Sequence, residues 1–139
     1  MYSVLETAPL LDTIRLSIHV LAASVWVGGQ IVMAGLVPVA RKEAPGLTKK
    51  LGTQFSYLAW PAYFVLIATG IWNVVALNPA KASTGWMIAL WLIIAMTAIS
   101  GISAFLHSRA KSVQQLALWG SLSGISAVAA LVLGIILAG

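Results

Sequence analysis

The chain has 139 residues, 60% of them hydrophobic and only 8% charged, with a net charge of +5 and no cysteine. Soluble domains carry about a quarter charged residues, so the chain is expected to be an integral membrane protein. Without cysteine it has no disulfide, no thiolate metal site and no covalent c-type haem, and its positive charge is expected to meet lipid headgroups rather than nucleic acid.

Four apolar segments alternate with short polar connections along the chain. Each is long enough to cross a bilayer as a helix, which takes about 20 residues, and the predicted spans cover residues 14–40, 55–77, 86–106 and 116–137. Pro38 and Pro61 are expected near helix ends, where a missing backbone donor is least harmful. Residues 1–139 are therefore predicted to form a single transmembrane domain, an all-α antiparallel bundle of four helices.

The basic residues predict the orientation of this bundle. Six of the eight lie in the first and third connections: Arg41, Lys42, Lys49, Lys50, Arg109 and Lys111. Loops rich in lysine and arginine stay in the cytoplasm. Both termini are therefore expected on the extracytoplasmic side of a multi-pass protein of the cell membrane.

The polar side chains of the first span project in one direction. At 100° per residue they form a single stripe, which comprises Arg15, His19, Trp26, Gln30 and Met33. The opposite side includes Val20, Val25, Val27, Val32 and Leu36, with Ser24 as the main exception, and is expected to face lipid. Because polar side chains avoid lipid, the stripe is expected to face the bundle interior. Gly28 and Gly29 would let a neighbouring helix or a flat ligand approach closely.

Depth places His19 beside Asn73 of the second span. At ~1.5 Å per residue they lie about 12 and 10 Å from the membrane midpoint, on the same side, and Arg15 and Trp72 are nearby in sequence. In one interpretation His19 is an axial ligand of a b-type haem and Arg15 pairs with a propionate. In the other, His19 is a structural residue that hydrogen-bonds to Asn73 or a carbonyl.

The second histidine, His107, is predicted near the opposite membrane surface. Helical rise separates it from His19 by about 28 Å, whereas two ligands of one iron lie about 4 Å apart, at ~2 Å per metal–nitrogen bond. His107 is expected to lie near lipid phosphates or, alternatively, to bind a second haem. Met87 is predicted at the depth of His19, so the pair would suit copper or a His/Met haem.

The fourth span and the short connections are also consistent with a role in assembly. Gly120 and Gly124 form a GxxxG motif, which packs helices within a bundle or between subunits of a homo-oligomer. None of the predicted spans contains an acidic residue. These features are also typical of a non-catalytic accessory subunit of a larger membrane complex.

The runs IHVLAASVWVGGQ and WPAYFVLIATGIWNV resemble the copper-resistance protein D (CopD-type) membrane family, whose members show a similar His–x6–Trp–x–Gly–Gly pattern. The chain is also similar to the HemJ-type protoporphyrinogen oxidases, which have four spans. The resemblance implies either copper transfer across the membrane, or b-type haem with electron transfer or a haem-linked oxidation. His19, Trp26, Gly28 and Gly29 match the pattern. The third span has no basic residue, unlike the oxidase-like group, and the chain has no Met-rich segment.

Overall fold

The computed structural model describes residues 7–139, which form helices and short connections without any strand. The four long helices are Leu10–Glu43, Leu47–Ala76, Thr84–Arg109 and Val113–Ala138, and a short 3-10 helix, Pro79–Lys81, precedes the third of them. Each long helix has the length and hydropathy to cross a membrane. The prediction of four apolar helices is thereby confirmed.

Every helix extends beyond its predicted span, because polar residues continue the backbone hydrogen bonding outside the apolar part. The second helix begins at Leu47, so most of the connection predicted between residues 40 and 55 is helical. Only Ala44–Gly46 remain, and Gly46 has a φ of 81°, a conformation that glycine adopts without steric cost. Ser83 and Ser112 cap the third and fourth helices, each accepting a backbone N–H.

Pro61 lies in the middle of the second helix, not near an end as expected. The early start of this helix at Leu47 explains the difference, because it adds two turns before the apolar segment. Proline lacks the N–H that would bond to the carbonyl four residues earlier. The carbonyl of Tyr57 is therefore without its usual helical donor.

The four helices pack as two antiparallel hairpins, the first helix against the second and the third against the fourth. Close backbone approach between the hairpins is concentrated where residues 24–28 meet the fourth helix. The connections 44–46 and 110–112 lie at one end of the bundle, here called the basic end because the six basic residues named above surround it. The other end, where the first helix begins and the fourth ends, is called the terminal end.

Small and hydroxyl-bearing residues fill the interior of the bundle. The least exposed side chains include Ser100, Ser103, Ser123, Ser126, Thr69, Ala59 and Ala127, whereas most leucine, isoleucine and valine side chains point outward. Only 17–22% of the most apolar window of each helix is buried within the chain. This distribution suits helices that pack through small residues in lipid rather than around a hydrophobic core in water.

A π turn, Ser24–Gly28, interrupts the first helix. Its N–H groups bond to carbonyls five residues back instead of four. Side chains after the turn therefore no longer keep the 100° spacing relative to those before it. Val27 is 7% exposed, so its predicted place on the lipid-facing side is wrong. At the start of the turn the Ser24 hydroxyl donates to the Val20 carbonyl at 2.8 Å.

Candidate functional site

His19 lies on the face of the first helix that packs against the second helix, and its Nδ1 is 2.8 Å from Oγ1 of Thr69. The Thr69 hydroxyl donates its single proton to the Val65 carbonyl of its own helix at 2.7 Å. The hydroxyl oxygen therefore accepts, and the imidazole Nδ1–H donates. In this tautomer the lone pair of His19 Nε2 is available to a metal ion or another electrophile.

Arg15 lies one turn before His19 and is 7% exposed. Its Nη2 forms an ion pair with Oδ1 of Asp12 at 3.0 Å. Its Nε has no hydrogen-bond partner among residues 7–139. Because a buried donor without a partner is costly, the guanidinium has capacity for another acceptor.

Asn73 lies level with Arg15 on the second helix. Arg15 precedes His19 by four residues, and Asn73 follows Thr69 by four residues. Because the two helices are antiparallel, the contact between His19 and Thr69 sets Arg15 and Asn73 opposite each other. Asn73 is half-buried, and its Oδ1 has no partner within the described part of the chain. The predicted partner of His19 is thus replaced by Thr69, one turn earlier on the same helix face.

Trp72, also predicted near His19, is 41% exposed. It follows Ile71, which is 61% exposed, on the outward side of the second helix. Trp72 therefore does not belong to the packed face that carries Thr69 and Asn73.

Trp26 and Gln30 belong to a second polar cluster, which joins the two hairpins. Trp26 Nε1 donates to Ser100 Oγ at 3.0 Å, and Ser100 Oγ donates to the Ser123 carbonyl at 2.9 Å. Ser123 Oγ lies 2.9 Å from both Gln30 Oε1 and the Ser100 carbonyl oxygen. The first, third and fourth helices all contribute, so this cluster joins the first helix to the second hairpin, with which it shares little other close contact.

The hydroxyl of Ser123 faces two acceptors, because Gln30 Oε1 and the Ser100 carbonyl oxygen each lie 2.9 Å from Ser123 Oγ. Its single proton can be donated to only one of them at a time. Gln30 Nε2 is buried without a hydrogen-bond partner among the described residues. An exchange of the amide oxygen and nitrogen would let Nε2 donate to Ser123 while Ser123 donates to Ser100.

Aromatic rings pack around Trp26 and close the centre of the bundle. Its ring centroid lies 4.5 Å from that of Tyr63 and 5.6 Å from that of Trp60. The Tyr63 hydroxyl donates to the Thr97 carbonyl at 2.9 Å, which connects the second helix to the third. A side chain at Gly101 would overlap the Tyr63 hydroxyl. Trp26 is therefore a packing residue of this centre.

The two adjacent glycines of the first helix have different surroundings. A Cβ atom at Gly29 would overlap the ring of Phe55, whereas one at Gly28 would meet nothing within 4 Å. The close approach predicted for the pair is confirmed for Gly29 alone, and its neighbour is an aromatic side chain of the second helix.

The polar stripe of the first helix therefore divides between two sites. Arg15 and His19 face Asn73 and Thr69 toward the terminal end, while Trp26 and Gln30 face the other hairpin at the centre. Thr69 was missed in the sequence, although a search for hydroxyls on the Asn73 face would have found it. Ser123 carried no signal that distinguished it from the other serines of the fourth helix.

His107 lies at the basic end, in the last turn of the third helix. Its Nδ1 is 2.8 Å from the Leu116 carbonyl, which can only accept, so Nδ1 carries the proton here as well. Its ring lies over Gly120, where a Cβ atom would be 3.0 Å from Nδ1. Gly120 of the GxxxG motif is thus used within the chain, to join the third and fourth helices.

The set of donor atoms limits what His19 can bind alone. Residues 7–139 contain no group of three or more His, Cys, Asp or Glu side chains placed to hold a metal ion. Met87 is half-buried in the first turn of the third helix. A haem, which supplies four nitrogen ligands of its own, needs only one imidazole from the protein. The donor set fits haem better than a bare copper ion.

Together these features define a four-helix chain with the character of a multi-pass membrane protein and a histidine that is hydrogen-bonded between the first two helices toward one end. Comparison with protein-family models, with curated proteins and with solved structures gave no match. The function is therefore argued from the site itself.

Proposed function

We propose that the chain is a multi-pass protein of the cell membrane that binds a b-type haem through His19, toward the extracytoplasmic side. The haem would serve electron transfer or a haem-linked oxidation. The observation that carries this proposal is the 2.8 Å contact between His19 Nδ1 and Thr69. Metal-binding histidines typically donate their second N–H in this way, which fixes the tautomer and the ring orientation.

The ligand set supports haem over the alternative of copper. Cu(I) is held by several soft or imidazole ligands, and the only imidazole toward the terminal end is His19, since the other histidine, His107, lies at the basic end. His19 is half-buried, so part of its side chain is accessible from the bundle surface. From this chain, His19 would hold the haem iron.

The test is a reduced-minus-oxidised absorption spectrum of protein purified in detergent after expression with added haem precursor. The wild type should show Soret and α bands, and His19→Ala should lose them. His107→Ala is the matched control, because its Nδ1 is also bonded, and it should keep them. A wild-type spectrum without bands, or bands that survive in His19→Ala, would overturn the proposal.

A further inference from the structure

Arg15 uses only part of its guanidinium in the folded chain. One nitrogen, Nη2, is paired with one oxygen of Asp12 at 3.0 Å, and the neighbouring Nε is buried without a partner among residues 7–139. A guanidinium presents paired N–H groups that match the two oxygens of a carboxylate. The Nε–H that Asp12 leaves free lies on the buried side of the guanidinium.

Asn73 supplies a second polar group at the same level. The pairing of His19 with Thr69 sets Asn73 opposite Arg15, and its buried Oδ1 has no partner in the described part of the chain. A carboxamide offers a donor or an acceptor depending on how it is turned. With its carboxamide turned about the last side-chain bond, Asn73 would present an N–H instead of Oδ1 at the level of Arg15 Nε.

The ion pair with Asp12 shows that the Arg15 guanidinium binds a carboxylate. The Asp12 side chain is 40% exposed, whereas that of Arg15 is 8% exposed. Asp12 lies in the first turn of the first helix, where its carboxylate can turn into solvent. An incoming carboxylate could therefore take its place without unfolding the helix.

We propose that Arg15 and Asn73 form a carboxylate-binding site one turn from His19, and that Asp12 competes for it until a carboxylate-bearing ligand displaces it. The inference rests on the proposed function insofar as the carboxylate is a haem propionate. The same chemistry would also recognise the headgroup of a membrane fatty acid, so the two sources need separate arms in the test.

The haem arm compares haem with haem dimethyl ester, whose propionates are esterified, by titrating haem-free protein in a non-ionic detergent and following the Soret band. The wild type should bind the free acid about tenfold more tightly than the ester, as expected for a charge-assisted pair. Arg15→Gln should bring this ratio to about one. Asp12→Asn should raise it, because the internal competitor loses its charge. The ratio is insensitive to general effects of a substitution on folding.

The fatty-acid arm compares oleate with methyl oleate by the shift in melting temperature. If oleate but not methyl oleate stabilises the wild type, Arg15→Gln loses this stabilisation and no Soret band forms, the proposed carboxylate site stands and the proposed haem is overturned. Equal binding of haem and its ester by the wild type and both variants would overturn the carboxylate site and leave the haem. If Asp12→Asn leaves the affinity ratio of haem to its ester unchanged, the proposed competition by Asp12 is overturned. If the protein responds to none of the four compounds, both proposals are overturned.

Discussion

The indole N–H of Trp26 donates a 3.0 Å hydrogen bond to the hydroxyl of Ser100, from one helical hairpin to the other. Both residues are nearly inaccessible, with exposed fractions of 3% and 1%. In lipid the association of helices depends on packing and on such polar links, because the surrounding tails are as apolar as the side chains. This bond and the contact between Gln30 and Ser123 are expected to hold the hairpins together.

A double-mutant cycle with Trp26→Phe and Ser100→Ala measures that link. The expected coupling free energy is about 0.5–1.5 kcal/mol, the range for hydrogen bonds between membrane helices. It is obtained from the free energies of unfolding of the wild type, both single variants and the double variant in mixed detergent micelles. Additive losses in the two single variants would contradict a direct bond.

The adjacent glycines offer a matched pair of substitutions. Gly29→Ala is expected to lower the free energy of unfolding by about 1–3 kcal/mol, because the added methyl group overlaps the Phe55 ring and overpacking has this cost. Gly28→Ala meets open space and should be neutral, or stabilising by up to ~1 kcal/mol through helix propensity. Equal effects of the two substitutions would refute the contact with Phe55, which Phe55→Leu should relieve in the Gly29 variant.

Thr69 should tune the haem that we propose on His19. Thr69→Val removes the acceptor of the Nδ1–H and makes the imidazole a weaker donor to iron, so the reduction potential should rise. A hydrogen bond of ~0.5–1 kcal/mol corresponds to about 20–40 mV for one electron. Redox titration of Thr69→Ser, which keeps the hydroxyl, should give the wild-type potential. A shift of equal size in both variants would indicate a purely steric effect.

The basic end of the bundle is expected to face the cytoplasm and so to determine the orientation of the chain in the membrane. A reporter enzyme that is active only outside the cytoplasm, such as alkaline phosphatase, should be active when fused after Gly139. It should be inactive when fused within residues 44–46, next to Arg41, Lys42, Lys49 and Lys50, because basic loops are retained in the cytoplasm. Reversed activities would show that both termini face the cytoplasm.

The helices could be predicted because their signal is local. Apolar runs of about 20 residues mark each one, and only their ends differ, as at the second helix, which begins at Leu47 rather than near residue 55. The polar turns Leu47–Gln54 belong to the helix although nothing in their hydropathy requires it. Apolarity reports the part that lies in lipid, whereas backbone hydrogen bonding sets the helix ends.

The partners of the polar residues were much harder to predict. Depth along the helices brought His19 to the right region of the second helix but selected Asn73 instead of Thr69, one turn away. The π turn at Ser24–Gly28 alters the register of the first helix, so a uniform helical wheel joined Arg15 and His19 with Trp26 and Gln30. Such a turn depends on contacts with other helices, which a single sequence does not contain.

The narrow junction between the hairpins has a consequence for how the chain is made. Each hairpin closes through contacts between neighbours in sequence, whereas the junction relies on a few side chains around the π turn. We therefore expect the two halves to be separable units of biogenesis, each able to enter the bilayer before the other is complete. Residues 1–78 and 83–139, produced as two polypeptides, should find each other in the membrane and co-purify, and Ser100→Ala together with Ser123→Ala should prevent their reunion.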